Sequence, residues 1–243
     1  MFTQPSSLKI VARIWILLFL AAVADAHSLS SLKRTAAKPR PLTRSEIREA
    51  EQRLNDLAYW TGPIDGVFDP ASRQALIAFQ KVEGRAAKGR LTRVEFEALR
   101  AAKRPTPLEG GPAHIEVNLG LQVLFVVDAS GIVSKILPVS TGSGEMFTSE
   151  DYTRPAITPC GRFRVQRKID GWRKSPLGML YYPVYIVGGI AIHGNPSVPV
   201  TPQSHGCIRI PMFAAEEFSD TTEIGTLVIV HSGAPPLTDT RFP

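Results

Sequence analysis

Cysteine is nearly absent, with two residues in 243. That excludes a dense disulfide framework, and the spacing of the pair resembles no zinc site. Long apolar runs are also missing. The apolar core near the N-terminus, WILLFLAAV with its flanking Ile14 and Ala24, falls short of the roughly 20 residues a helix needs to span a bilayer. Acidic residues are outnumbered 28 to 22, leaving a net charge of +6 and a pI near 9.5. Such a chain is drawn to polyanions, and on charge alone nucleic acid, anionic lipid and an anionic cell wall all remain open. The rest of the composition, 44% hydrophobic and 21% charged, is ordinary for a globular protein. The length suits one substantial domain and a small one.

Residues 1–26 read as an export signal: Lys9 and Arg13 precede the short apolar core, and Ala24-Asp25-Ala26 offers a small-residue cleavage site before His27. The alternative is an uncleaved signal anchor. No cysteine follows the core to take a lipid. Export to the periplasm or cell envelope is therefore expected, with no stable membrane span after cleavage. Residues 27–42, rich in Ser, Lys, Arg and Pro without apolar periodicity, have the composition of a linker.

The 43–101 stretch is punctuated for helices. Thr43 with Glu46 and Thr92 with Glu95 are capping boxes, and Asp69 before Pro70 pairs an N-cap with proline at the first helical position. Three helices are predicted, near 44–58, 70–82 and 93–101. Leu54, Leu57, Ala75, Leu76 and Phe79 recur at helical spacing as a shared core. Leu54, Leu57, Gly62-Pro63, Asp65-Gly66 and Ala75-Leu76 through Phe79-Gln80 together resemble the peptidoglycan-binding domain 1 family. Those are turn and core residues, so a helical spacer that binds nothing stays open beside glycan binding. A Pro/Gly-rich linker, 102–112, follows, and the helical unit is expected to have its own core and to be separable.

From residue 113 the period becomes strand-like. LQVLFVVDASGIVSKILPVS reads as two strands around a turn at Asp128–Gly131, and GRFRVQRKI places Phe163 and Val165 on one face with Arg162 and Arg164 on the other. YYPVYIVGGIAIHG gives another pair around Gly188-Gly189, MFAAEEF a late helix, and TLVIVHS a closing strand. The expected fold is thus multidomain α and β: three small helices, then a mainly-β sandwich or partly closed barrel over 113–232, with 233–243 as a C-terminal tail.

The chemistry concentrates in IAIHGNPSVPVTPQSHGCIRIP, residues 190–211. A thiol attacks as the thiolate, and an imidazole beside it can take the proton, so Cys207 with His193 is the smallest set for covalent acyl transfer. Gly206 permits a tight turn, and the N–H groups of Gly206 and Cys207 are candidate oxyanion donors. His205 is a rival base, because residues i and i+2 of an extended segment share a face. A structural histidine and a merely buried cysteine are the bland alternatives.

A His followed at loop distance by Ser-His-Gly-Cys resembles the active-site signature of the L,D-transpeptidase (YkuD) family, with support from LQVLFVVD and TPCGRFRV. The resemblance implies a β-sandwich, Cys207 as nucleophile, His193 as general base held by the Gly194 carbonyl, and supporting roles for His205 and Ser204. Arg209 then either grips a substrate carboxylate or covers the rim. Cys160, standing where the family usually has Thr, is expected to be free. The loop 143–157 would wall the channel, and Trp172, Tyr181 and Tyr182 pack or touch substrate.

The implied reaction is attack on a peptidoglycan tetrapeptide stem, loss of D-Ala, and transfer to an amine in a 3→3 cross-link. Neither cofactor nor metal is needed. Water as acceptor would make an L,D-carboxypeptidase, a lysine-bearing wall-anchored protein would become attached, and a non-catalytic wall-binding protein is the rival class. Peptidoglycan stem peptides and glycan are the expected partners, and nucleic acid is not. Acylation by carbapenems is a further implication.

Overall fold

The structure, a computed structural model, describes residues 40–149 and 152–233. The export signal, nearly all of the 27–42 linker and the tail beyond residue 233 lie outside the described residues.

Local capping chemistry fixes the helical region. Helix α1 (Arg44–Asp56) starts on a complete capping box, with Glu46 N–H donating to the Thr43 hydroxyl and Thr43 N–H donating to the Glu46 carboxylate at 2.8 Å. Helix α2 (Pro70–Val82) starts on Asp69, whose carboxylate accepts from Ser72 N–H at 2.7 Å. Helix α3 (Arg93–Ala101) uses the Thr92 hydroxyl, but the expected second box is only half made. Glu95 turns instead to Arg85, which donates two hydrogen bonds to it at 3.0 and 3.1 Å. A charged bidentate partner outcompetes a backbone N–H.

Twelve strands follow among the described residues: β1 (His114–Asn118), β2 (Val123–Val127), β3 (Val133–Pro138), β4 (Met146–Thr148), β5 (Thr153–Pro155), β6 (Gly161–Arg164), β7 (Arg167–Lys168), β8 (Trp172–Ser175), β9 (Gly178–Val187), β10 (Ile190–Asn195), β11 (Ile208–Pro211) and β12 (Leu227–His231), with helix α4 (Met212–Thr221) before the last. One sheet runs β3-β2-β1-β12-β6, the other β11-β10-β9-β7 with β8 added to β9, and β4–β5 form a separate hairpin. The two sheets share an apolar layer to which β1, β2 and β12 contribute Ile115, Leu124 and Val228, and β9–β11 contribute Val184, Ile192, Ile208 and Ile210. Helix α4 closes it with Ala214, Ala215 and Phe218. The result is a three-helix N-terminal region joined to a mainly-β sandwich.

The helical region does not have the core of its own that was expected. Leu54, Leu76 and Phe79 of the helices share one core with Val123, Phe125, Val127, Val133 and Ile136 of β2 and β3. Strand β2 is therefore covered on both faces, odd residues by the helices and Leu124 by the second sheet, which explains its unbroken apolar run. Residues 58–60 also pair with the edge strand β3: Ile136 N–H donates to Ala58 O at 2.7 Å and Trp60 N–H to Ile136 O at 3.0 Å. Lys81 Nζ, buried at the seam, donates to the Gln122 and Val139 carbonyls at 3.0 and 3.1 Å. Even the 102–112 segment is tied down, by Arg104 to Asp56 O and by the Leu108 and Glu109 N–H groups to the buried Glu116 carboxylate.

Candidate active site

The site is built on the parallel pair β10–β11, where Ile192 is in register with Ile208 and His193 with Arg209. Side chains alternate across a strand, so Ile192, Ile208 and Ile210 fill the sandwich core while His193 and Arg209 face the other way. Cys207, two residues before Arg209, joins that second face. All three line one cleft of about 350 Å³.

His193 is 2% exposed, and its Nδ1 lies 2.9 Å from the Gly194 carbonyl. A carbonyl only accepts, so Nδ1 carries the proton and Nε2 is left as the basic nitrogen. Burial pulls the His193 pKa down to about 4, opposed by the Gly194 hydrogen bond and assisted by the nearby Arg209 charge. The half-buried Cys207 thiol points toward the Gly189 carbonyl at 3.7 Å. Burial raises its pKa, while a backbone hydrogen bond from Ala191 and the positive charges of Arg209 and Arg154 pull the other way. At neutral pH both groups rest uncharged. No hydrogen bond joins them in this resting arrangement.

The turn before Cys207 is clamped from beneath. Gly206 has φ +130°, and an added Cβ would meet Ile157 O and Ile190 Cδ1 at 2.9 Å, so only glycine fits. Buried Ser204 donates to Cys207 O at 2.5 Å and accepts from Gly206 N–H at 3.0 Å. The expectation that Gly206 N–H faces an oxyanion is therefore corrected: that donor is spent on Ser204. The shared-face argument for His205 also fails, because the Gly206 backbone is not extended. His205 is exposed, with its ring 4.8 Å from that of Phe147. It still lines the cleft.

Thr158 completes the clamp and was missed in the sequence. Its hydroxyl donates to Gly206 O at 2.7 Å and accepts from Gly142 N–H at 2.9 Å. Cys160 is exposed and both cysteines are free. The 143–157 loop contains the β4–β5 hairpin, and Tyr152 and Arg154 from it do line the cleft. Trp172, Tyr181 and Tyr182 do not. Their rings pack against one another in sequence, tilted and then edge-to-face, at 4.9 and 4.7 Å between ring centroids, and Tyr182 donates to Glu216 of α4 at 2.8 Å. Arg167, Arg173 and Lys174 also line the cleft, and no sequence motif marked them. Among the described residues no group of three or more His, Cys, Asp or Glu side chains is placed to hold a metal ion.

Fold and cleft define a β-sandwich protein with a thiol and an imidazole on one wall of a basic groove. Residues 112–230 match the YkuD family, the L,D-transpeptidase catalytic domain, and residues 43–99 match a peptidoglycan binding domain. A crystal structure of an L,D-transpeptidase (residues 123–326) from Xylanimonas cellulosilytica is 36% identical, covering 80% of this chain and 97% of that one, with a TM-score of 0.74. An L,D-transpeptidase (Yku) from Stackebrandtia nassauensis is 20% identical over 83% of this chain and 97% of that one, with a TM-score of 0.45. No curated protein matches. The chain belongs to the L,D-transpeptidase family.

Proposed function

We propose that the chain is a peptidoglycan L,D-transpeptidase in which Cys207 is the nucleophile and His193 the general base. The observation that carries this is that His193 of β10 and Cys207, immediately before β11, line one cleft, with His193 oriented by the Gly194 carbonyl. Peptidoglycan is the partner to which both matched families point, and the cell wall is the corresponding location. Export by the N-terminal segment remains part of this proposal. No helix among the described residues is long and apolar enough to cross a membrane.

The chemistry follows from the protonation states. His193 Nε2, neutral at pH 7, takes the Cys207 proton as the sulfur attacks the carbonyl of the third stem residue. The imidazolium then returns that proton to the departing D-Ala amine, leaving a thioester. In the second half, a stem side-chain amine attacks the thioester and loses its proton to His193. The amide forms, and Cys207 leaves as thiolate to be reprotonated. The oxyanion role falls to the Cys207 N–H. Ser204 and Gly206 hold the turn, and His205 braces the rim. Arg209 is assigned to a substrate carboxylate, because no carboxylate among the described residues pairs with it. Water as acceptor gives the L,D-carboxypeptidase variant, and a protein lysine gives wall attachment.

Incubation of the pure chain with disaccharide-tetrapeptides, followed by muropeptide mass spectrometry, tests this. The proposal expects 3→3-linked dimers. Tripeptides alone mean a carboxypeptidase, and unchanged tetrapeptides contradict both.

A further inference from the structure

Five cationic side chains, Arg154, Arg167, Arg173, Lys174 and Arg209, line the cleft, and no acidic residue among the described ones does. The chain as a whole carries only +6, so five cations with no acid among them make this cleft strongly positive for its size. Several cations elsewhere are paired: Arg85 with Glu95, Arg93 with Glu46, Lys135 with Glu217. Two of the cleft cations are partly occupied by aromatic faces, Arg167 at 3.5 Å from the Tyr185 ring centroid and Arg154 at 4.6 Å from that of Tyr152. Arg209 stands beside the reacting thiol. Arg173 and Lys174 remain, exposed on a different hairpin, with no ion-pair or hydrogen-bond partner among the described residues.

That hairpin is fixed rather than floppy. Arg173 pairs with Leu180 and Lys174 with Met179 in the β8–β9 ladder, and Ser175 Oγ closes its tip on Gly178 O at 2.8 Å. Leu177 and Met179 line the cleft beside the two cations. This wall therefore offers an apolar strip with positive charge along it, which fits a peptide carrying carboxylates on short aliphatic stems. Like charges crowded into a low-dielectric groove repel one another, and an anionic ligand relieves that cost.

We propose that Arg173 and Lys174 form an outer carboxylate subsite, separate from Arg209, through which the protein selects stem peptides with free carboxylates over the same stems carrying carboxamides. The inference rests on the transpeptidase reading for its substrate but is decided by binding. The probes are a synthetic tetrapeptide stem with all carboxylates free and its counterpart with the glutamyl and third-residue carboxylates amidated. Calorimetry on Cys207→Ala, which cannot turn over, is expected to show the acid binding about tenfold more tightly, the scale of one charge-assisted hydrogen bond. The preference is expected to shrink as salt rises, and to vanish when Arg173→Gln and Lys174→Gln are added. Arg173→Glu with Lys174→Glu is expected to reverse it. Equal affinities for the two stems, or a preference that survives both double substitutions, would overturn the subsite. Turnover by the unsubstituted protein is read separately: if neither stem is consumed, the transpeptidase reading falls, while the binding comparison still decides the subsite.

Discussion

Burial sets the resting state of the two side chains on which the proposed chemistry depends. His193 is held neutral because a charged imidazole would lose its hydration inside the wall of the cleft, and the Cys207 thiol is held protonated for the same reason. The proton therefore moves only as the bond to substrate forms. Activity should persist on the acid side down to about pH 4, where His193 titrates, rather than failing near the usual histidine value. A stability effect accompanies it. Because the folded pKa lies below the unfolded one, the unfolded chain binds more protons between about pH 4 and 6.5, so stability falls as pH falls through that window, by roughly 3 kcal/mol from this group. His193→Ala is expected to slow acylation by at least about 100-fold and to remove that acid-side sensitivity. Should His205→Ala do this while His193→Ala does not, the two roles are reversed. Cys207 and His193, which both line the cleft, could be marked as candidates from the sequence because they lie within one short run. Arg154, Arg173 and Lys174 could not, because strands far apart in sequence bring them to the cleft.

Among elements, the turn from Ser204 to Cys207 depends on partners in the 140–143 and 156–158 segments. Gly142 bridges to Ser204, and Thr158 links Gly142 to Gly206 through one hydroxyl. An added Cβ at Gly142 would meet Ala156 O at 2.2 Å, so these segments have no slack. Thr158→Val keeps the shape but leaves the buried Gly206 carbonyl unpaired, at a cost of about 1–3 kcal/mol, and the partly buried Gly142 N–H without its partner. Thermal unfolding should show that loss, acylation of Cys207 should slow, and Thr158→Ser should restore most of both. A valine variant with unchanged stability and acylation would show that the clamp is idle. The turn before Cys207 was visible from Gly206, but which buried hydroxyl holds it depends on packing, and no local pattern distinguishes Thr158 from its neighbours. The same limit explains the half-made box at Thr92: the Glu95 partner, Arg85, comes from outside the helix.

Across the whole molecule, the helical region forms a third layer over the first sheet. Val123, Phe125, Val127, Val133 and Ile136 are each at most 4% exposed, and removing residues 43–101 would strip their cover. Each such side chain is worth about 1.5–3 kcal/mol when buried, and the deletion also frees the β3 edge to pair with other chains. A chain lacking 43–101 is expected to lose cooperative unfolding or to aggregate. A deletion variant that melts as sharply and as high as the full chain would show the two parts to be independent. The helices and most strands were foreseeable from period and caps, because those signals are local. Their fusion was not, because a Pro/Gly-rich 102–112 stretch looks the same whether it swings free or is pinned by Arg104 and Glu116. The continuous apolar run of β2 was the one visible hint that both of its faces are covered.

Cys207, and not Cys160, is the proposed nucleophile. Carbapenem labelling tests it directly, since a strained lactam acylates a competent thiolate and the family resemblance implies a slowly hydrolysed adduct. Intact-mass spectrometry with peptide mapping is expected to show a single adduct on Cys207, retained in Cys160→Ser and absent in Cys207→Ala. An adduct confined to Cys160, or undiminished labelling of Cys207→Ala, would rule out Cys207 as the nucleophile.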